Sequence, residues 1–191
     1  MITKRLIIGI TGGSGAILGI RMLEHAKALD IETHLVISQA AKLTIQHETD
    51  WRFKDVLRLA DVAYKNNEVG ATIASGSFMT AGMVVLPCSI KTLSAIANSY
   101  ADNLITRAAD VTLKEGRNLV LAVRETPLHA GHLDQMSQAA RIGAVIYPPV
   151  PAFYAQPKSI DDIVDNLVGR IFMRLGIENE YYKPWDGLED S

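Results

Sequence analysis

Only one cysteine, Cys88, occurs in this chain of 191 residues, and aromatic residues make up just 6% of it. A single cysteine cannot form an internal disulfide, which favours a reducing compartment, and we predict a cytoplasmic protein. No apolar run reaches the ~18–20 residues that a membrane-spanning helix needs. The net charge of −2 gives no general attraction to nucleic acid or to anionic membranes, so any positively charged site must be local.

Several common cofactor-binding motifs are also missing. The glycine-rich segment 11–15 does not have the G-x-G-x-x-G spacing of dinucleotide-binding folds, and the second apolar run ends in Ser38 and Gln39 without the acidic residue that holds an NAD ribose. No G-x-x-x-x-G-K-[ST] motif and no Asp-rich magnesium motif occurs. The five histidines lack metal-ligand grouping, apart from His129 and His132 at i, i+3. A mononucleotide phosphate therefore fits the glycine-rich segment better than NAD or ATP.

Hydrophobic periodicity predicts a single α/β domain, in which short buried strands alternate with amphipathic helices. The predicted strands are 4–10, 31–37, a short one near Val62, 83–87, 119–123 and 144–146. The predicted helices are 16–29, 40–46, 55–59, one that opens at 88–92 and runs towards 99, 103–115, 133–141 and one capped by Ser159. We expect a Rossmann-like or flavodoxin-like three-layer αβα sandwich with a mainly parallel sheet, formed by residues 1–176 and followed by a polar C-terminal tail, 177–191.

Two loops that follow predicted strands are candidate anion sites. In the first, Gly12, Gly13 and Gly15 lie where a helix begins, so backbone N–H groups and the helix dipole favour a phosphate. The alternative is a tight turn that needs glycine for geometry alone. The second loop, 87–92, contains serine and threonine that are ordinary helix caps, but Lys91 favours a ligand. Because ligands of open α/β sheets lie at the carboxyl ends of strands, we expect both loops to meet in one crevice.

Eight short motifs, taken in order, resemble those of the UbiX-type flavin prenyltransferases, which include bacterial relatives of phenylacrylic acid decarboxylase. Each motif is weak alone, but their joint order over residues 5–176 is highly specific. They are GITGGSG at 9–15, ETD at 48–50, SGS at 75–77, LPCSIKT at 86–92, RAAD at 107–110, LKE at 113–115, RETP at 124–127 and PAFY at 151–154.

The resemblance implies a Rossmann-like flavoprotein that assembles from trimers into a dodecamer. It implies transfer of a dimethylallyl group from dimethylallyl phosphate to N5 and C6 of reduced FMN, without a metal ion. The prenylated FMN would then pass to a UbiD-type decarboxylase. Many relatives have alanine at the position of Gly13, a change that we expect to be harmless.

The resemblance also implies roles for individual residues. The FMN site would use Gly12, Gly13, Ser14, Ser38, Ser89, Ile90, Lys91, Thr92 and Arg124. The dimethylallyl phosphate site would use Ser14, Lys114, Arg124, Tyr154 and Arg170, whose cations and hydroxyls would balance the charge of the departing phosphate. Glu48 and Glu125 match acidic positions near the reaction centre, and a carboxylate such as Glu48 is a candidate proton acceptor.

Several of these residues also have ordinary structural explanations. Lys114 lies near a helix C-terminus, where basic residues often serve only the helix dipole. Arg170 lies mid-helix beside an apolar stripe, where a surface ion pair is common, and Tyr154 is a candidate packing aromatic. Arg124, directly after a buried strand, is well placed for a ligand.

Two other functions are compatible with a flavin-binding α/β domain. One is an FMN-dependent aromatic-acid decarboxylase, and the other is a flavin-carrier subunit without chemistry of its own. A carrier needs one phosphate site, whereas a prenyltransferase needs two. The set Lys114, Arg124, Tyr154 and Arg170 therefore favours the prenyltransferase.

Overall fold

The structure, a computed structural model, describes residues 5–187. Within that range six strands form one parallel sheet in the order β3-β2-β1-β4-β5-β6. The predicted start of the first strand at Lys4, and the end of the predicted tail at 188–191, lie outside the described residues. The strands are β1 (Arg5–Ile10), β2 (Glu32–Ile37), β3 (Val62–Lys65), β4 (Gly82–Cys88), β5 (Asn118–Val123) and β6 (Val145–Ile146).

Seven α-helices connect and follow the strands in the described range. They are α1 (Ala16–Ala28), α2 (Gln39–Glu48), α3 (Phe53–Leu59), α4 (Ile90–Ala97), α5 (Leu104–Lys114), α6 (Ala130–Arg141) and α7 (Ile160–Arg174). Two 3₁₀ turns, Thr72–Ala74 and Phe153–Ala155, lie in the longer loops. Among residues 5–187, no helix combines the length and the apolar character needed to cross a bilayer.

The sheet has the strand order of the Rossmann fold, and the predicted fold class is confirmed. The chain builds outward from β1 through β2 to β3, then returns to place β4 on the other side of β1. In the register of these two central strands, Leu6 lies beside Gly82 and Gly9 beside Val85. The order therefore reverses between β1 and β4, and the loops that follow these two strands flank the crevice where ligands of such sheets bind.

Side chains that alternate along the strands form a core on each face of the sheet. Leu6, Ile8 and Ile10 of β1 pack with α1 and α7 on one face. Ile7 and residues of β4 such as Val85 pack with α4 and α5 on the other. Both faces of the parallel sheet are thus covered, which explains why the strands are continuous apolar runs.

Four of the helices, α2, α4, α5 and α7, begin with a side-chain cap from the N-cap residue, whereas α1, α3 and α6 do not. The Ser159 hydroxyl accepts a hydrogen bond from the Asp162 N–H, and the Asp162 carboxylate accepts one from the Ser159 N–H, a reciprocal capping box that confirms the predicted start of α7. Helix α6 begins at Ala130 rather than at 133. Its N-cap residue, His129, makes no side-chain capping bond, so the sequence contained no capping signal for this start.

Candidate functional site

Thr11 joins the loops that follow the two central strands. Its buried hydroxyl donates a hydrogen bond to the Pro87 carbonyl at 2.7 Å and accepts one from the Ser89 N–H at 2.8 Å. The Thr11 N–H also donates to the Pro87 carbonyl, at 3.1 Å. The two candidate loops therefore hold a fixed relative position. Sequence reasoning did not single out Thr11, although a hydroxyl at the end of a buried strand was an available signal.

A cavity of about 620 Å³ opens at the carboxyl edge of the sheet, between the starts of α2 and α4. This volume is within the range of small-molecule sites. Five of the residues predicted to bind FMN lie in its wall, and they come from three different loops. These are Gly12, Ser38, Ser89, Lys91 and Thr92.

Two helices begin at this cavity, and a serine caps each of them. The Ser38 hydroxyl accepts a hydrogen bond from the Ala41 N–H at 3.1 Å, and the Ser89 hydroxyl accepts one from the Thr92 N–H at 3.4 Å. Helix N-termini favour anions because their first N–H groups and the helix dipole point outward. Together with the exposed Lys91, these donors fit the phosphate of a mononucleotide.

Other residues of the cavity wall were not predicted. The loop after β3 contributes Asn66, and the turn before α5 contributes Asp102 and Asn103. Asn66 is itself fixed, because its carbonyl accepts from the Leu104 N–H at 2.8 Å and its Oδ1 accepts from the Ile105 N–H at 3.1 Å. These segments are separated by about forty residues in sequence, so no local pattern linked them.

The two glycines of the first loop face different surroundings. A Cβ atom on Gly12 would lie 2.5 Å from the Ala40 Cβ, closer than real side-chain contacts allow. A Cβ atom on Gly13 would lie 3.4 Å from the Arg124 Cβ and from the Pro87 Cβ, which is near ordinary contact. Glycine is therefore required at position 12 by the approach of α2, whereas position 13 has room for alanine.

Glu48, the last residue of α2, lies at the start of α1. Its Oε2 atom accepts hydrogen bonds from the Gly15 N–H at 2.7 Å and from the Ala16 N–H at 3.1 Å. Gly15, the N-cap residue of α1, has no side chain with which to make this bond itself. The anion at this helix start is thus the chain's own carboxylate, and the exposed Ser14 lies directly before it.

Arg124 and Glu125 follow β5 at the same edge of the sheet. The Arg124 N–H donates to the Cys88 carbonyl at 3.0 Å, which fixes this backbone beside the end of β4. No carboxylate of residues 5–187 lies within ion-pair distance of the Arg124 guanidinium, which is exposed. The Glu125 Oε1 atom accepts from the Thr126 N–H at 3.1 Å. Arg124 therefore supplies an uncompensated positive charge beside the first loop.

Tyr154 and Arg170 meet through a residue that was not predicted. The Arg170 Nη1 atom donates to the Tyr182 hydroxyl at 2.9 Å, and this hydroxyl lies 3.1 Å from that of Tyr154. Trp185 packs edge-on against Tyr154, with 5.5 Å between ring centroids. The hydrogen bond to Tyr182 raises the pKa of Tyr154 above its ordinary value. The predicted polar tail thus contributes side chains to this cluster.

Lys114 lies near the amino ends of the strands, whereas Arg124 lies at their carboxyl ends. It is the last residue of α5, and β5 begins four residues later at Asn118, which pairs with Gly82 at the start of β4. Its ammonium group lies 3.5 Å from the Glu115 carboxylate. Arg124, by contrast, follows the end of β5. A single chain therefore does not bring Lys114 and Arg124 together.

Two other groups have structural roles. Burial raises the pKa of the Cys88 thiol to about 12, so Cys88 is a packing residue rather than a nucleophile. Asp161, at the start of α7, forms an ion pair with Arg21 at 2.7 Å. Over the described range, no three His, Cys, Asp or Glu side chains are grouped so as to hold a metal ion.

Comparison with known proteins identifies the family. A family model described as Flavoprotein matches residues 1–172. The flavin prenyltransferase UbiX of Escherichia coli (strain K12) is 57% identical over 187 residues, which cover 96% of this chain and 99% of the relative.

Two crystal structures are also close. That of AnUbiX (PadA1) in complex with FMN and dimethylallyl pyrophosphate has a TM-score of 0.95 at 46% identity and covers 98% of this chain and 100% of that one. That of a dodecameric FMN-dependent UbiX-like decarboxylase from Escherichia coli O157:H7 has a TM-score of 0.93 at 48% identity, over 96% of this chain and 100% of that one.

This chain therefore belongs to the flavoprotein family. Within it, the chain belongs to the UbiX-type flavin prenyltransferases, and the resemblance seen in the eight motifs is confirmed.

Proposed function

We propose that this protein transfers a dimethylallyl group from dimethylallyl phosphate to N5 and C6 of reduced FMN. The observation that carries the proposal is the presence of two separate groups of hydroxyl and cationic side chains, each chemically suited to a phosphate. One group lines the cavity between α2 and α4, and the other is the cluster of Tyr154, Arg170 and Tyr182. A carrier that only holds a flavin needs the first group alone.

In this proposal the first group holds the FMN phosphate. Ser38, Ser89 and Thr92 supply hydroxyls, Lys91 supplies a positive charge, and the N-termini of α2 and α4 supply backbone N–H groups. Ile90, in the first turn of α4, is half-buried and would contact the flavin through its apolar side chain. Gly12, in the cavity wall, and the adjacent Gly13 would border the flavin with the backbone of the first loop.

The second group balances the charge of the departing phosphate. Arg170 and Tyr154 would hold the phosphate through a guanidinium fork and a phenolic hydroxyl, assisted by Ser14 and Arg124. Reduced FMN supplies the nucleophilic N5 and the C6 carbon at which the new ring closes. The protein's contribution is to hold donor and acceptor close together, which makes the transfer effectively intramolecular.

Ring closure releases a proton, and two acceptors are available for it. One is the departing phosphate. The other is Glu48, whose Oε2 atom is engaged by two backbone N–H groups while Oε1 makes no hydrogen bond within residues 5–187. Glu125 would supply a second carboxylate at the carboxyl ends of the strands.

We also propose that Lys114 reaches the site from a neighbouring subunit. Its position near the amino ends of the strands leaves it distant from Arg124 within one chain. In a cyclic assembly, one edge of each subunit meets a different edge of the next, so a residue of one edge can complete a site on the other. A homododecamer would provide such contacts, and the Escherichia coli O157:H7 relative is dodecameric.

Anaerobic incubation with FMN, a reductant and dimethylallyl phosphate tests the function. We expect the flavin to gain the mass of one prenyl unit, and a parallel reaction with dimethylallyl pyrophosphate would define which donor is used. Oxidised FMN is the control and should remain unchanged. An unchanged flavin with carbon dioxide release from an aromatic acid would instead identify a decarboxylase, and bound but unchanged flavin without carbon dioxide would identify a carrier.

The product would serve a partner enzyme. We propose that prenylated FMN passes to a UbiD-type decarboxylase. We also propose that this protein is cytoplasmic, because its single cysteine favours a reducing compartment. Adding the prenylated product to a UbiD-type apoenzyme should restore decarboxylation, whereas unmodified FMN should not.

A further inference from the structure

A C-terminal strap, residues 179–185, crosses α7 at a point where the helix has no side chain. A Cβ atom on Gly169 would lie 2.6 Å from the Tyr182 nitrogen, so only glycine permits this crossing. Asn179 fixes the strap: its Nδ2 donates to the Gly169 carbonyl at 3.0 Å, and its Oδ1 accepts from the N–H groups of Tyr181 and Tyr182 at 3.0 and 3.3 Å. The strap backbone is therefore held tightly against α7.

The two tyrosines of the strap point to different partners. The Tyr181 ring stacks on His25 of α1, with 3.5 Å between centroids and 8° between ring planes. The Tyr181 hydroxyl makes no hydrogen bond to any described residue. Tyr182 instead lies under the Arg170 guanidinium, whose Cζ atom is 4.8 Å from the ring centroid. Tyr181 thus makes its side-chain contact through the ring, whereas Tyr182 makes contacts through both its ring and its hydroxyl.

The Tyr182 hydroxyl links the two side chains assigned to the donor phosphate. It accepts a hydrogen bond from Arg170 at 2.9 Å and lies 3.1 Å from the Tyr154 hydroxyl. A phenol has one proton to donate and two lone pairs that accept. When the Tyr154 hydroxyl donates its hydrogen bond to an anion, the Tyr182 hydroxyl must be the donor in the bond between the two tyrosines. The chain Arg170–Tyr182–Tyr154 then directs a guanidinium fork and an O–H donor towards one anion, and each bond polarises the next.

From this arrangement we infer that Tyr182 is a positioning residue for the phosphate of the prenyl donor. It acts through Arg170 and Tyr154 rather than on the reacting atoms. The inference rests on the proposed function, in which these two residues bind that phosphate. It extends the site into the strap and predicts that loss of one hydroxyl weakens donor binding without affecting the flavin.

The test compares Tyr182→Phe with Tyr181→Phe in the full-length protein in its native oligomeric state. Both variants lose one hydroxyl from the strap and keep the ring, so the second is a matched control. For Tyr182→Phe we expect KM for dimethylallyl phosphate to rise about five- to tenfold, the upper part of what one ordinary hydrogen bond contributes. We expect kcat to stay within about twofold, and FMN affinity and melting temperature to equal those of the wild type. Tyr181→Phe should match the wild type in all four quantities.

Binding of inorganic phosphate, measured by calorimetry on the FMN-loaded protein, separates this inference from the proposed function. Weaker phosphate binding in Tyr182→Phe but not in Tyr181→Phe supports the inference even if no prenylated flavin forms. Equal phosphate affinity and equal KM in the two variants would overturn it. A fall in melting temperature or in FMN affinity of Tyr182→Phe alone would also overturn it, because the hydroxyl would then be a structural group.

Discussion

The carboxylate of Glu48 accepts a hydrogen bond from the N–H of Gly15 at 2.7 Å, and through it the last residue of α2 caps the first turn of α1. Gly15 has a positive φ of 96°, a conformation that glycine adopts without strain, and it cannot cap the helix itself. The first loop is therefore closed by a side chain thirty-three residues away. Glu48 has both a capping role and a candidate proton-acceptor role, and substitutions can separate them.

Glu48→Gln should retain the cap and lose the proton acceptor. The amide oxygen still accepts from the two N–H groups, so we expect the free energy of unfolding to change by less than about 0.5 kcal/mol, whereas Glu48→Ala should lose about 1 kcal/mol. If Glu48 accepts the proton, prenylation by Glu48→Gln should slow about 100-fold at unchanged FMN affinity. Urea unfolding and single-turnover prenylation measure the two effects. Wild-type turnover in Glu48→Gln would leave the departing phosphate as the acceptor.

Gly12→Ala and Gly13→Ala should differ sharply although they are adjacent. The new Cβ at position 12 would meet the Ala40 Cβ at 2.5 Å, so α2 or the loop must move, at a cost of about 1–3 kcal/mol in stability and with weaker FMN binding. At position 13 the nearest atoms are 3.4 Å away, and we expect a change within about 0.5 kcal/mol. Flavin fluorescence titration and thermal unfolding measure both. Equal effects of the two substitutions would contradict the described loop geometry.

Mixing inactive subunits tests whether Lys114 acts across an interface. Lys114→Ala and Arg124→Ala should each prenylate FMN poorly. If Lys114 completes the site of a neighbouring subunit, assemblies formed from an equal mixture of the two should regain activity at about one quarter of their sites, because one site in four then combines both intact residues. Subunits would be unfolded together, refolded and assayed, with each variant refolded alone as the control. Absence of any recovery in verified mixed assemblies would place Lys114 outside the site.

Stability should depend on pH through His25. Burial lowers the pKa of His25 below its ordinary value of 6.5, against the opposing effect of the Asp165 carboxylate 3.0 Å from its Nε2. The unfolded chain therefore takes up this proton at higher pH than the folded protein does. The contribution of neutral His25 to the free energy of unfolding is complete above about pH 6.5. It is lost as the pH falls through the pKa of His25 in the folded protein.

The melting temperatures of wild type and His25→Gln measure this contribution. As the pH falls from about 7.5 to about 5.5, we expect the melting temperature of the wild type to fall further than that of the variant, because glutamine takes up no proton in this range. His47→Gln, at an exposed position on α2, is the matched control and should follow the wild type. A larger pH effect in His25→Gln than in the wild type would reverse the assigned direction.

Much of the fold was predictable because its signals are local. A buried parallel strand is an apolar run whatever surrounds it, and the runs at Ile7 and Val84 identified the central strands. Five residues predicted for the FMN site lie in one cavity because the carboxyl ends of parallel strands share an edge. The exact start of α6 was not predictable, since His129 makes no side-chain capping bond.

The sequence by itself determined the alternation of strands and helices, the glycine loop and the family of the protein, because these depend on residue types at short spacing. Only the tertiary structure decided that Glu48 caps α1 and that Tyr182 joins Tyr154 to Arg170. These relationships depend on the strand order and on helix packing, which bring together residues far apart in the chain. No pattern within one segment encodes them.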